Sequence, residues 1–134
     1  MIGLDTNVLV RFLTDDDPVQ SPQAARVIGA CTAADPAFIG REVMVETVWV
    51  LERAYKRGRG EIAEALFDLL AAEEVVVEAP DDVATALEIY RHGGGRGAGF
   101  ADAMIAAAAR NAGCATLYTF DKRAGGQAGV TILA

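Results

Sequence analysis

The sequence predicts an α/β domain in which helices cover both faces of a largely parallel sheet (an α/β/α sandwich). Short apolar runs alternate with amphipathic helical patterns along the chain, which is typical of strands joined by helical crossovers. Hydrophobic residues make up 52% and charged residues 23%, as in ordinary globular proteins. Because the 134 residues contain no internal repeat and no domain boundary, we expect a single domain spanning residues 1–134.

The first elements are a strand and two helices. The apolar residues 1–5 predict the strand, and Thr6 opens a short helix with apolar residues at helical spacing. After an acidic turn, Ser21 fits the N-cap of a second helix and Pro22 fits its first position. This helix is predicted to run towards Ala34.

The middle of the chain continues the alternation of strands and helices. Its longest helical pattern is followed by a basic stretch, and a second amphipathic pattern has leucines spaced for burial. The predicted elements are a strand at 37–39, a helix at 41–55, the basic stretch at 56–60, a helix at 61–72 and a strand at 75–77.

The last third contains two helices and two strands. A helix is predicted at 81–90, and we interpret the glycine-rich run 92–99 as a mobile loop, since such a run excludes regular structure. An alanine-rich helix extends from Phe100 to Asn111, and Gly113 marks its end. Strands are predicted at 115–119 and 130–133.

The net charge of −7, from 19 acidic and 12 basic residues, does not suggest binding to nucleic acid by bulk electrostatics. It does not exclude such a substrate, because divalent cations would cancel the charge of a cluster of four acids. No basic and apolar leader begins the sequence, and no apolar stretch approaches the roughly 20 residues of a membrane helix. We therefore expect a cytoplasmic protein that does not enter a membrane.

Four carboxylates stand out by their positions in these elements. Asp5 ends the first strand, and Asp121 follows the strand that ends at Thr119. Ligands of open parallel sheets bind outside the carboxyl ends of the strands, so both acids are placed where sites form. Asp102 lies in the first turn of the alanine-rich helix, and Glu46 lies inside the long helix.

Each of these acids also has an ordinary structural interpretation. Asp5 and Asp102 favour helix N-termini by roughly 0.3–1 kcal/mol, Asp121 suits a turn, and Glu46 suits a solvated helix face. Against this, Asp102 shares a helical stripe with Ile105, Ala106 and Ala109, and a buried acid there would need a partner or a metal. Glu42 and Glu46 also lie four residues apart, where like charges repel.

Clustered carboxylates without nearby His or Cys are hard oxygen ligands that suit Mg²⁺ or Mn²⁺ rather than zinc. Such a site can activate a water molecule and neutralise the charge that develops during an attack on phosphorus. The residues by themselves therefore indicate metal-dependent phosphate-ester chemistry, and they do not identify RNA as the substrate.

The same residues resemble the motifs of a known family. The chain carries Asp5-Thr6-Asn7-Val8-Leu9-Val10 after a short strand, Glu46 followed by Trp49 and Leu51, Phe100-Ala101-Asp102-Ala103, and Thr119-Phe120-Asp121. These four motifs occur in the order and approximate spacing of PIN-domain proteins, and most closely resemble VapC-like toxins. The resemblance covers essentially the whole chain and implies a PIN-like fold.

The resemblance implies that Asp5, Glu46, Asp102 and Asp121 surround one or two Mg²⁺ or Mn²⁺ ions. Asp5 and Asp102 would bind the metal directly, and Glu46 would bind it or orient its water. The fourth acid, here Asp121, varies in position and role within the family. The residues expected to hold the carboxylates by hydrogen bonds are Thr6, Asn7 and Thr119.

The resemblance also implies an activity and partners. PIN-domain toxins are endoribonucleases that cleave structured RNA and leave a 5′-phosphate and a 3′-hydroxyl. They form homodimers or toxin–antitoxin hetero-oligomers, and a small antitoxin protein inserts a segment, often with an arginine, into the acidic groove. The acidic balance of this chain suits a basic partner segment.

Several side chains are candidates for contacts with RNA. Among the cations Arg53, Lys56, Arg57, Arg59, Arg96, Lys122 and Arg123, we favour Arg96 and Lys122, because they lie near Asp102 and Asp121 in the sequence. Trp49 is interpreted as a core or dimer-contact residue rather than a base-stacking platform.

Two other functions are considered. An aspartyl-phosphate phosphatase would use Asp5 as its nucleophile, but it would need an acid where Asn7 stands. A catalytically silent PIN-like module that only binds RNA or protein would share the fold, although the intact set of four acids argues against it. Dependence of Mg²⁺ or Mn²⁺ uptake on Asp5 and Asp102 would separate these cases.

Overall fold

The computed structural model describes residues 1–93, 99–124 and 127–133, in an N-terminal unit (Met1–Ala79) and a C-terminal unit (Pro80–Ala134). The N-terminal unit contains β1 (Ile2–Gly3), α1 (Thr6–Thr14), α2 (Gln20–Gly29), β2 (Ala37–Ile39), α3 (Arg41–Arg53), α4 (Arg59–Ala71) and β3 (Val75–Val77). The C-terminal unit contains α5 (Pro80–His92), α6 (Phe100–Asn111), β4 (Leu117–Thr119), a 3₁₀ turn (Lys122–Ala124) and β5 (Val130–Ile132).

The three strands of the N-terminal unit form a parallel sheet in the order β1-β2-β3. Ala37 of β2 is paired with Ile2 on one side and Val75 on the other. Ala37 and Ile39 are fully buried, because a central parallel strand is covered on its faces. The first strand is shorter than predicted, since the chain leaves the extended run at Asp5 and enters α1.

The beginning of α2 differs from the prediction. The helix starts at Gln20. The N–H groups at its start are bonded by Asp17 rather than by Ser21. Asp17 Oδ1 accepts hydrogen bonds from the N–H groups of Val19 (2.9 Å) and Gln20 (2.7 Å). Ser21 lies inside the helix, where its Oγ donates to the carbonyl of Arg11. The predicted N-cap was therefore wrong, and α2 also ends at Gly29, short of Ala34.

The two long helices of this unit, α3 and α4, both contribute to its core. The buried residues of α3 are Met44, Thr47, Val48 and Leu51, which recur at helical spacing and face inward. The α4 helix begins two residues before its predicted start and takes in the end of the basic stretch. Both helices are therefore amphipathic, and α3 has an opposite face exposed to solvent.

The C-terminal unit is built on the pairing of α5 with α6. Val83, Ala86, Leu87 and Tyr90 are buried on α5, and Phe100, Ala103, Met104 and Ala107 are buried on α6, both sets at spacings of three, four and seven. The rings of Tyr90 and Phe100 meet edge to face, with centroids 5.8 Å apart. Small alanines on both helices allow close packing.

The end of α6 agrees with the prediction. Gly113 adopts a φ of +89°, which an L side chain adopts only with strain, and its N–H bonds the carbonyl of Arg110. The next N–H, of Cys114, bonds the carbonyl of Ala109, which completes a Schellman motif. Gly113 therefore terminates the helix as expected.

The remaining strands, β4 and β5, pair in parallel. The α/β class with parallel pairing is confirmed, but the described strands form two sheets, of three and two strands, rather than one. The glycine-run prediction falls largely on residues 94–98, outside the described residues. Among the described helices, none is both long enough and apolar enough to cross a membrane.

Candidate metal centre

Asp5 lies where β1 passes into α1. The backbone N–H of Leu4 bonds the carbonyl of Phe38 at 3.0 Å and holds the strand end on β2. Asp5 then serves as the N-cap of α1, with extended backbone angles and its Oδ1 accepting from the N–H of Thr6 at 2.8 Å. The carboxylate is exposed and held at the carboxyl end of the strand, as predicted.

Thr6 connects Asp5 to Glu46. While its backbone N–H bonds Asp5, its Oγ1 donates to Glu46 Oε1 at 2.8 Å across 40 residues of sequence. Thr6 is only 6% exposed, so its hydroxyl has little freedom to rotate away. One buried residue therefore holds two exposed carboxylates, in agreement with the supporting role predicted for Thr6.

The other predicted supporting residues behave differently. Asn7 is exposed and lines a surface pocket between α1 and α2, together with Arg11 and Gln20. Thr119 Oγ1 accepts from the backbone N–H of Asp121 at 3.0 Å, so it fixes the chain before the carboxylate rather than the carboxylate itself.

Asp102 and Asp121 lie together in the C-terminal unit. Both line a pocket of about 110 Å³, which Ile105, Ala106 and Thr119 also line. Asp102 reaches it from the first turn of α6, and Asp121 from the residues that follow β4. These two predicted site residues therefore lie at one pocket of this unit, and their role as a metal site stays a prediction.

Arg123 stands between these two carboxylates. Its Nη2 lies 2.8 Å from Asp121 Oδ2 and 3.8 Å from Asp102 Oδ2, and its Nε also contacts both oxygens of Asp121. The side-chain hydrogen bonds from Arg123, followed by the bond from its backbone N–H, lower the pKa of Asp121 below its ordinary value. Lys122 was predicted to contact RNA, and that stays a prediction; the residue that contacts the two acids is its neighbour, Arg123.

The burial predicted for Asp102 was wrong. The buried face of α6 is the one that carries Ala103 and Ala107, one position away from the stripe of Asp102. Ile105, expected on the buried stripe, is 56% exposed, and the Asp102 side chain is 46% exposed. The Asp102 carboxylate is therefore in contact with solvent and near Arg123, so it needs no buried partner or metal.

The donors at both places are carboxylate oxygens, which fit Mg²⁺ or Mn²⁺. The described residues contain no group of three or more His, Cys, Asp or Glu side chains arranged to hold one metal ion. Each unit supplies a pair, Asp5 with Glu46 and Asp102 with Asp121. Mg²⁺ keeps several waters and often binds only one or two carboxylates together with phosphates. Each pair therefore has the kind and number of oxygen ligands that a protein usually supplies to Mg²⁺.

The remaining candidates for RNA contact are at the surface or outside the described residues. Arg96 falls in residues 94–98, which the structure does not describe, and Lys122 is exposed in the 3₁₀ turn. Trp49 is 58% exposed, so of the two roles expected for it the core role is wrong, and the dimer-contact role stays a prediction. The guanidinium of Arg53 lies over its ring, 5.6 Å from the centroid.

Comparison with known proteins adds a family and two relatives. The family model described as PIN domain matches residues 2–128. A VapC ribonuclease of Aquifex aeolicus (strain VF5) is 27% identical over 120 residues, covering 90% of this chain and 87% of that protein. A crystal structure of Mycobacterium tuberculosis VapC20, titled a sarcin-ricin loop cleaving toxin, has 23% identity and a TM-score of 0.47 over 91% of each chain.

Proposed function

This chain belongs to the PIN-domain family, and from that membership we propose that it is a metal-dependent endoribonuclease and the toxin of a type II toxin–antitoxin pair. The relative at 27% identity is named a VapC ribonuclease, which supports RNA as the substrate. The structural observation that carries the proposal is the attachment of Asp5 and Glu46 to one buried threonine. Two carboxylates that bond one and the same residue suit a hard cation.

We propose Asp5, Glu46, Asp102 and Asp121 as the residues that hold Mg²⁺ or Mn²⁺. A bound ion would generate a nucleophilic water and neutralise charge on the phosphate. The hydrolysis breaks the P–O3′ bond, leaving a 5′-phosphate on one fragment and a 3′-hydroxyl on the other.

The chain's own part is to hold its carboxylates charged and oriented. The N–H and hydroxyl of Thr6 fix one oxygen each on Asp5 and Glu46, and as neutral donors they place no positive charge beside the pair. Asp121 stays ionised because Arg123 lowers its pKa. Loss of a residue that hydrogen-bonds a metal ligand without touching the metal commonly lowers metal affinity or activity by about 10–100-fold.

The partners follow from the same proposal. The substrate is a structured RNA, and the inhibitor is a small antitoxin protein whose basic segment complements an acidic chain of net charge −7. A cytoplasmic location goes with these partners. The assembly would be a homodimer or a toxin–antitoxin hetero-oligomer.

RNA cleavage by the pure protein, in Mg²⁺, in Mn²⁺ and in EDTA, tests the activity. We expect cleavage that requires the metal and is lost in Asp5→Asn and Asp102→Asn, while Glu64→Gln, an exposed acid on α4, cleaves normally. Manganese binding is measured on the same variants. A wild-type protein that neither cleaves RNA nor binds Mn²⁺ would instead indicate a silent binding module.

A further inference from the structure

We propose that Trp49 and Arg53 form a platform on which an unpaired RNA base stacks next to the Asp5–Glu46 pair. This inference rests on RNA as the substrate in the proposed function and adds a site for one part of that RNA. A single exposed aromatic residue is ordinary on a protein surface and would carry no inference alone. Position, geometry and charge distinguish Trp49.

The first observation is the position of Trp49 on α3. At 3.6 residues per turn, Glu42, Glu46, Trp49 and Arg53 fall within about 60° of one another around the helix axis. The buried residues Met44, Thr47, Val48 and Leu51 occupy the opposite side. Trp49 therefore lies on the face that carries Glu46, about 4.5 Å further along the axis.

The second observation is the contact between Trp49 and Arg53. The guanidinium carbon lies 5.6 Å from the ring centroid, within the range of a cation–π interaction. Such a contact restrains the orientation of an otherwise exposed indole, so less entropy is lost when a base stacks there. Flat guanidinium and aromatic groups are the surfaces on which unpaired RNA bases stack.

The third observation is the change of charge along this face. Glu42 and Glu46 make its beginning acidic, whereas Arg53 makes its end basic. A metal held by Asp5 and Glu46 would bind one phosphate, and Arg53 would attract the next part of the chain by its positive charge. The order of metal ligand, aromatic ring and cation is therefore suited to a nucleotide chain, and a second protein copy would need no such order.

The fluorescence of Trp49 tests this platform directly, because Trp49 is the single tryptophan of the chain. The protein is titrated in EDTA, where no cleavage is expected, with a short unstructured oligoribonucleotide and with a blunt duplex of the same sequence. We expect saturable quenching by the single strand and little change with the duplex, since paired bases are not free to stack.

Matched variants separate stacking from charge. Trp49→Leu should weaken binding of the fluorescently labelled single strand about tenfold, or about 1.4 kcal/mol, and Trp49→Phe should restore part of the loss because it keeps a flat ring. Arg53→Gln should weaken binding and reduce its salt dependence. Arg26→Gln, an exposed cation of α2, should do neither.

Two results would overturn the platform. Unchanged Trp49 emission, either without RNA binding or while the labelled RNA is bound, would mean that no base reaches the ring. Emission that changes with protein concentration alone, together with a doubled molar mass, would mean that a second copy covers Trp49. If metal-dependent cleavage persists with unchanged emission, the nuclease proposal stands without the platform. Quenching by the single strand in EDTA, together with neither cleavage nor Mn²⁺ binding when the metal is supplied, would support the platform and remove the nuclease.

Discussion

The two carboxylate pairs of this protein are held by opposite means. In the N-terminal unit, Asp5 and Glu46 are joined by Thr6, a neutral and buried donor. In the C-terminal unit, Asp102 and Asp121 are joined by Arg123, a cation whose side chain is 69% exposed. The donor that joins the first pair is neutral, whereas the charge of the second pair is already partly balanced by Arg123.

This difference affects how each pair would meet a divalent cation. The first pair is oriented and offers two charges, so a cation gains their full attraction. In the second pair, the oxygens of Asp121 are engaged by the guanidinium of Arg123, and a cation must compete for them. We therefore expect the first pair to contribute more to the affinity for a divalent cation than the second.

The largest effect is expected from Asp5→Asn. Asp5 is proposed to bind the metal directly, so its loss should reduce Mn²⁺ affinity and RNA cleavage by more than about 100-fold, the upper range for residues that only support a metal ligand. Asparagine is as good an N-cap as aspartate, so α1 should remain folded. Calorimetric titration with Mn²⁺ measures the affinity, and circular dichroism checks the fold.

Asp121→Asn is the matched variant for this comparison. It removes the same charge from the other pair, but from oxygens that Arg123 already occupies, so its loss of Mn²⁺ affinity should be clearly smaller than that of Asp5→Asn. Equal losses in the two variants would show that both pairs contribute alike and would contradict the comparison.

A smaller effect is expected from Thr6→Val. The change removes the hydroxyl that bonds Glu46 but keeps the backbone N–H that bonds Asp5. Mn²⁺ affinity should fall about 10–100-fold, while the free energy of unfolding should change by only about 1 kcal/mol, because the exposed Glu46 is rehydrated. Thr6→Ser restores the donor and should restore most of the affinity, which a purely structural role would not require.

Arg123→Gln should act in the opposite direction. With the cation removed, Mn²⁺ affinity should rise by no more than about fivefold, since so exposed an ion pair is screened by solvent. Lys122→Gln is the control, because it removes the same charge from the preceding residue. A gain of equal size in both variants would reflect overall charge rather than the contact with Asp121.

The same substitution has a pH signature. Because Arg123 lowers the folded-state pKa of Asp121, this group's stabilising contribution is present above its unfolded-state pKa and is lost as pH falls through the lowered value. Arg123→Gln should move that loss to higher pH, towards the ordinary pKa of aspartate. Titration of the Asp121 carboxyl carbon by NMR measures the shift.

The sequence predicted those features of the fold that depend on neighbouring residues. Gly113 ends α6 because local backbone bonds need a positive φ, and the helix has the predicted bounds from Phe100 to Asn111. The start of α2 was misjudged because Asp17 and Ser21 both suit a cap, and the choice depends on the contact of Ser21 with Arg11 across ten residues. Without knowledge of that contact, the sequence does not show whether Asp17 or Ser21 caps the helix.

The candidate site was likewise predicted where it depends on neighbouring residues and missed where it depends on contacts between distant ones. The placement of Asp5 follows from its position at a strand end. The bond from Thr6 to Glu46 spans 40 residues, and the nearness of Asp5 and Glu46 was expected only through the family resemblance. The burial of Asp102 was misjudged because α6 has alanines on several faces, so periodicity alone does not select the buried one. The role of Arg123 depends on the 3₁₀ turn that brings it back to Asp121.

Thr119→Val should have the smallest effect of these substitutions. Its Oγ1 accepts a bond from the backbone N–H of Asp121, so the change loosens the turn but leaves the carboxylate oxygens with Arg123. Mn²⁺ affinity should change by less than about twofold, well below the range for direct support of a ligand. A loss as large as that of Thr6→Val in the same titration would mean that backbone placement matters as much as orientation of the carboxylate. The two pairs would then differ in charge and not in how firmly they are held.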